Sequence, residues 1–473
     1  MISRRTKLLA PLLAFSVVVA ACGGDDDDTT PADTPDEGTA DEGTADAPDE
    51  GTADEGTADA PDEGTADLAG AEVTITGPER DDPSVAAIQQ VLGDFADANG
   101  FTVTYTGDAD WEANINTQVS GGNPPDISIF PQPGKLAEFA TDGFVVPLTD
   151  DVNATVDEYW DESYQQYGAV DGTQYGVPVK TDLKSLVWYK PARFEEAGYA
   201  VPETIDEMRE LMAQMVTDGN GAPLCVGIES GQATGWTFTD WVEEMVLRLH
   251  GGEVYDQWVN HEIPFDDPQI VEAMQAVLDM WAPENVFASG GSIAATNFGD
   301  NAQPLVDDQC WMHRQASFFA GFFPDGTAFA DESNPDAIDV FYFPDINGDR
   351  PVLTAGTLAA GFNDEPATMA VLEYMATAEY AELRQAAQTA ELDGGLSGFL
   401  SAAQGQDPSV YQPLEQSFLE ILEGSEVSRF DASDLMPADV GAGTFWSEGV
   451  SAVTGSSTAE EAAANIEASW PEG

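Results

Sequence analysis

Three tryptophans sit where a flat ring could meet a ligand. Trp111 follows Asp108-Ala109-Asp110 at a strand end, Trp236 follows the glycine-rich SGQATG, and Trp446 stands beside the flexible GAGTF. Glu79, Gln132, Asp182 and Arg314 offer directional hydrogen bonding. Carboxylates, amides and guanidinium groups bind hydroxyls, and aromatic rings cover apolar C–H faces. These residue types together suit the capture of a polyhydroxylated ring. Trp188, Trp241 and Trp281 fall within periodic apolar segments and read as core. The rival reading is a secreted glycoside hydrolase, which needs two carboxylates about 5–10 Å apart. With 69 acids in Leu68–Gly473 such pairs arise by chance, and no eightfold barrel repeat is present. The three histidines, His250, His261 and His313, show no metal-ligand spacing, so neither a metal nor a cofactor is expected.

The cysteines divide into two kinds. Cys22 lies at the seam VVVAACGGDDDD, where an apolar run ends and the chain turns acidic. Arg4, Arg5 and Lys7, the apolar Leu8–Val19 and the small Ala20-Ala21 make a secretory leader over residues 1–21. The apolar run is too short to span a bilayer, where about 20 residues are needed. After the seam, PDEGTADEGTADA occurs at 35–47 and again at 48–60. Gly23–Asp67 holds eighteen acids, no base, no aromatic residue and no Leu, Ile or Val. It cannot bury enough surface to offset the entropy of folding, so 22–67 is expected to be a disordered, self-repelling tether. Cys225 and Cys310 remain, and in an exported chain an even pair points to a disulfide.

The elements that must position the candidates begin at Leu68. Of the chain's 87 acids and 15 bases, the tether takes eighteen acids and the leader three bases. Leu68–Gly473 therefore carries 69 against 12, a formal −57. Such a field repels nucleic acid and anionic membrane surfaces, argues against both as partners, and suits a salty medium. At 406 residues this part is too large for one core and implies two lobes. Strands are predicted at 71–77, 101–107 and 125–130, with a helix capped by Asp82 ahead of Pro83 and another over DWEANINTQVSGG. A β-α-β-α-β series makes a parallel sheet, and ligands bind at the carboxyl ends of its strands. This places Glu79, Trp111 and Gln132 at one site. Helices are predicted at 202–215 and 268–281, strands at 338–345 and 353–362, and a mainly helical C-terminal third. DINGD at 345–349 lacks the glycine and glutamate of a calcium loop, with Arg350 and Gly356 at those places, so it reads as a hairpin turn on Asn347-Gly348.

Several fragments, in order, carry a family likeness. Val19-Ala20-Ala21-Cys22 resembles the lipobox of bacterial lipoproteins, which implies a lipidated Cys22 and an extracytoplasmic, membrane-tethered protein. GNPPDISIFPQPGKLAEFA, VKTDLKSLVWY, CVGIESGQATGWTFTDWVEEM and HRQASF together resemble the extracellular solute-binding proteins of ABC sugar importers, and their alpha-glucoside-binding branch in particular. The likeness covers Leu68–Gly473. It implies a non-catalytic, monomeric α/β protein with the two-lobed periplasmic-binding-protein fold (type II), a sugar ligand in the cleft and a membrane permease as partner. Lobe one would comprise 71–180 plus 354–405, and lobe two 185–350 plus 410–473. Asp182, Lys184 and Ser185 fall on the first crossing strand, and Thr354, Ala355 and Gly356 on the second. His313 and Arg314 match the region where lobe two lines the cleft, and Trp446 matches a sugar-stacking aromatic at a helix start. Maltose-binding relatives often carry Gly-Asp where this chain has Ala355-Gly356-Thr357, so Thr357 stands in the place of an acid.

Overall fold

The opening alternation folds as the periodicity predicts: β1 (Glu72–Gly77), helix Asp82–Asn99, β2 (Thr102–Gly107), helix Trp111–Ser120 and β3 (Ile127–Phe130). The computed structural model describes residues 68–471 apart from 347 and 349. The leader, Cys22, the acidic repeat and Asn347 of the predicted turn lie outside the described residues. β1 pairs in parallel with both β2 and β3, and Val73, Ile75, Val103 and Ile127 pack on Ile88 and Leu92 of the first helix. That helix starts one residue earlier than predicted. Asp81, not Asp82, is its cap, and the Asp81 side chain accepts from the Ser84 N–H at 2.9 Å.

A small hairpin, β4 (Ala169–Val170) and β5 (Thr173–Gln174), precedes β6 (Gly176–Leu183). After Lys184 and Ser185 alone, the chain enters β7 (Leu186–Tyr189), which belongs to another sheet. That second sheet is completed by β8 (Ala222–Cys225), β9 (Val286–Phe287), β10 (Cys310–Arg314) and β11 (Asp339–Tyr342), in the order β11-β7-β10-β8-β9. The chain then returns in β12 (Val352–Gly361), which pairs antiparallel with β6 and β3 of the first sheet and parallel with β13 (Ser428–Phe430). Because β11 and β12 lie in different sheets, the segment between them is a crossing rather than the predicted hairpin.

Each sheet has its own apolar core, the second built on Trp241, Val242, Met245 and Trp258 from the long helix Trp236–Val259. A further cluster joins Leu183, Trp188, Phe319 and Phe418 beside the crossings. The predicted disulfide forms: Cys225 and Cys310, with Cα atoms 5.4 Å apart, tie β8 to β10. Two α/β lobes joined by strands that change sheet are the architecture the composition and the family likeness imply. Among the described residues no helix is long and apolar enough to cross a membrane.

Candidate ligand-binding cleft

A cavity of about 540 Å³ lies where the carboxyl ends of β1, β2 and β3 face the second sheet's helices. That is within the size range of small-molecule sites. The first-sheet side contributes Glu79 after β1, Asp108 and Glu112 after β2, and Gln132 after β3. Gly107 lets the Glu79 loop cross the end of β2, since a Cβ there would stand 2.2 Å from the Glu79 carbonyl oxygen. Burial raises the Glu112 carboxyl above its usual range, opposed by its own backbone and by Gln132.

The opposite side is aromatic. Trp236 opens the long helix and meets Phe298 and Phe318 with ring centroids 5.0 and 6.0 Å away, and Phe322 continues the wall 5.1 Å from Phe298. Trp446 joins them from the start of a C-terminal helix. Gly235 makes this meeting possible. Its φ is +118°, and a Cβ would stand 2.4 Å from the Trp446 carbonyl oxygen. Such rings can cover the apolar face of a ligand.

The floor is the pair of crossing strands. Asp182 stands opposite Ala355 and Gly356 opposite Thr181 in the β6–β12 ladder. The Asp182 carboxylate lies 3.3 Å from Lys180 Nζ. Burial raises its pKa, and Lys180 opposes the shift. Ser185 clamps the two crossings together: its hydroxyl accepts from the Leu353 N–H at 2.8 Å and donates to Glu244 at 2.9 Å.

Beneath the floor runs a buried charge network. Lys184, 4% exposed, places Nζ 2.7 Å from Asp240 and hydrogen-bonds Asp431. Arg314 reaches Glu244 at 2.8 Å and Asp240 at 3.3 Å, and Arg248 reaches Glu244 at 2.6 Å. Asp240, Glu243 and Asp431 offer oxygens within 4.8 Å of one another, and the cation among them is the Lys184 ammonium. Desolvation alone would lower the Lys184 pKa, but Asp240 and Asp431 outweigh it and hold it well above its ordinary value. Burial lifts Asp240 to about 6 against the pull of Lys184. Burial also lifts Glu243 well above its range, reinforced by Asp431 and Asp240. Burial works against the Asp431 anion too, but Lys184 and hydrogen bonds from Glu243 and Ser433 carry its carboxyl down to about 2. Burial and the neighbouring Asp431 raise the Asp434 carboxyl well above its range as well, so acids outnumber bases in this network.

The cleft gathers seven of the candidates: Glu79, Gln132, Asp182, Lys184, Trp236, Gly356 and Trp446. Four do not reach it. Trp111, 1% exposed, turns into the core, packs against Phe130 and donates its indole N–H to Ser128 Oγ at 2.9 Å. His313 lies under the wall, with Nδ1 2.9 Å from the Cys225 carbonyl, and burial lowers its pKa to about 4. Arg314 is spent on the buried network. Thr354 turns its hydroxyl to the Arg429 carbonyl at 3.2 Å. Phe298, Phe318, Phe322, Glu112, Asp434 and Arg384 were not foreseen. The density of aromatics in SFFAGFF was the available signal for two of them.

Comparison with known proteins agrees with this architecture. Residues 81–382 match the family described as bacterial extracellular solute-binding proteins. The alpha-glucosides-binding periplasmic protein AglE of Rhizobium meliloti is 37% identical over 421 residues, 85% of this chain and 88% of that one. The osmoprotective compounds-binding protein GgtB of Synechocystis is 38% identical over 392 residues, 81% and 89% of the two chains. A chitin oligosaccharide binding protein of known structure superposes with a TM-score of 0.70 at 16% identity, covering 84% of this chain and 98% of its own. The bacterial solute receptor AcbH gives 0.67 at 21% identity, over 84% and 97%. The chain belongs to the bacterial extracellular solute-binding proteins.

Proposed function

We propose that the protein captures a neutral oligosaccharide of the alpha-glucoside type, such as trehalose, maltose or sucrose, and hands it to an ABC importer. The observation that carries this reading is the cleft itself, where carboxylates and an amide on one side face a wall of aromatic rings on the other. A sugar presents hydroxyls and C–H faces to such a pair of surfaces. The 37% identity to an alpha-glucosides-binding relative supports the linkage class. A smaller osmoprotective solute is the second reading, supported by the 38% identity to GgtB.

In this reading lobe one comprises 71–180 plus 354–405 and lobe two 185–350 plus 410–473. Lys184-Ser185 and the segment before β12 act as hinges, and the sugar favours the closed form that the permease reads. The protein works as a monomer without catalysis, and nucleic acid is not a partner of so acidic a surface. Cys22 is lipidated and the acidic repeat spaces the lobes from the membrane. Labelling with radioactive palmitate in the bacterial host checks this: a Cys22→Ser protein that still takes up label refutes the anchor.

The test of function is isothermal titration of the full-length protein with trehalose, maltose, sucrose, maltotriose, glycerol and glycine. Saturable binding of an alpha-glucoside is the expected result. Binding of glycerol alone favours the second reading, and release of reducing sugar would overturn both.

A further inference from the structure

Nine of the twelve Lys and Arg in Leu68–Gly473 are ion-paired with a carboxylate: Lys135, Lys180, Lys184, Lys190, Arg193, Arg209, Arg248, Arg314 and Arg429. In a body with 69 acids that is the expected fate of a cation. Among the described residues Arg80, Arg350 and Arg384 have no carboxylate ion pair, and of these only Arg384 is buried, at 2% exposure. A buried guanidinium without a counter-ion is costly, by several kcal/mol, unless its donors find oxygen. Arg384 lies on the helix Ala378–Glu391 and lines the cleft. It hydrogen-bonds Gln388 Oε1 through Nη1 and sits 5.1 Å over the Phe399 ring. Burial raises the Tyr380 hydroxyl to about 12, a hydrogen bond from Arg384 opposes that rise, and no carboxylate is among the guanidinium's hydrogen-bond partners in the described residues.

Glu79 lines the same cavity. Its carboxylate lies 3.4 Å from the Tyr105 hydroxyl, and Arg384 and Glu79 both act on Tyr105 and Tyr380. Among the described residues no ion pair or hydrogen bond joins the two. A donor fork and an acceptor carboxylate that share a wall without closing on each other leave a place for a group that both accepts and donates. A hydroxyl does so, and the neutral total of the pair matches an uncharged ligand.

We propose that Arg384 and Glu79 form a second recognition point in the cleft, which clasps the hydroxyls of a neutral ligand's second unit while the aromatic wall holds the first ring. This rests on the reading of the protein as a glycoside receptor. It assigns selectivity for a two-unit ligand to the β1-end wall, with Arg384 as the specificity-determining residue.

The experiment is titration calorimetry of the full-length protein with trehalose, maltose and sucrose, each against methyl α-D-glucopyranoside, which lacks the second unit. Arg384→Met should weaken the best-bound disaccharide by about 30-fold, the worth of a hydrogen bond to a charged group, and change methyl α-D-glucopyranoside by less than about threefold. Arg384→Lys, which keeps the charge but loses the fork, should recover only part of the loss. Glu79→Gln should show the same selective loss and, lying outside the buried packing of Arg384, tests the pairing even if the arginine variants unfold early. Equal loss on both ligands, or no loss, overturns the clasp while leaving the receptor reading intact. A wild-type protein that binds none of these sugars overturns both.

Discussion

Replacing Lys184 by methionine removes the one cation that Asp240 and Asp431 share. Nζ lies 2.7 Å from Asp240 and also hydrogen-bonds Asp431, in a site where all three groups are buried. Breaking a buried pair from one side costs about 3–5 kcal/mol, because the charges left behind have neither water nor partner. The cost must also depend on pH, with a sign the geometry sets. In the wild type burial lifts Asp240 to about 6, so above that pH it holds no proton. Without the ammonium its pKa rises further and the folded variant keeps the proton, whereas the unfolded chain, near 3.9, does not. A folded state that binds the extra proton loses about 1.4 kcal/mol of stability per unit as pH rises. Between pH 6 and 7.5 the gap to wild type should therefore widen by about 2 kcal/mol. Urea unfolding followed by tryptophan fluorescence in buffer with ample salt, at both pH values, reads this directly. The companion Lys184→Met/Asp431→Asn should recover about 2 kcal/mol of the loss. A gap below about 1 kcal/mol, or one that stays flat with pH, would refute the assignment of this network as charged and mutually compensating.

Three further outcomes follow from the same geometry. Cys225→Ala/Cys310→Ala frees a link spanning 85 residues and should lower stability by about 4–5 kcal/mol by loop-closure entropy; a double variant that melts within a degree of wild type contradicts it. His313 is held neutral with its pKa near 4, below its ordinary value, so the unfolded chain takes the proton first. Its contribution is whole above pH about 6.5 and lost as pH falls to about 4, some 3 kcal/mol in all. His313→Gln should flatten the acid side of the stability curve by that amount, and an unchanged acid limb rules out the buried neutral imidazole. Finally, Trp236→Ala should weaken ligand binding by about tenfold or more, while Trp111→Phe should cost about 1 kcal/mol of stability through its lost bond to Ser128 and leave affinity alone. Calorimetry and thermal melts on both proteins decide it, and a binding defect in Trp111→Phe would return that residue to the cleft.

Much of the site was legible because position at a strand end is local information. Alternating strand and helix over 72–130 dictates a parallel sheet, and its carboxyl ends carry Glu79 and Gln132 to one side. The two crossings were legible only through the family likeness, since a two-residue connection such as Lys184-Ser185 equally suits a hairpin, yet β6 and β7 lie in different sheets. What failed was any judgement about which way a side chain turns. Trp111 and Trp236 both open helices after loops, yet Ser128, seventeen residues on, claims the first indole, and Phe298 and Phe318 set the second into the wall. β10 runs between β7 and β8, so all five of its residues are buried, and His313 and Arg314 go to core partners. Arg384 carries no local signal, because nothing along the chain reveals that a cation lacks a counter-ion. By itself the sequence determined the charge, the disulfide pair and the order of elements, which follow from composition and from neighbours along the chain. Only the tertiary structure decided which rings and charges face the cavity, because burial and pairing depend on groups brought together from far apart.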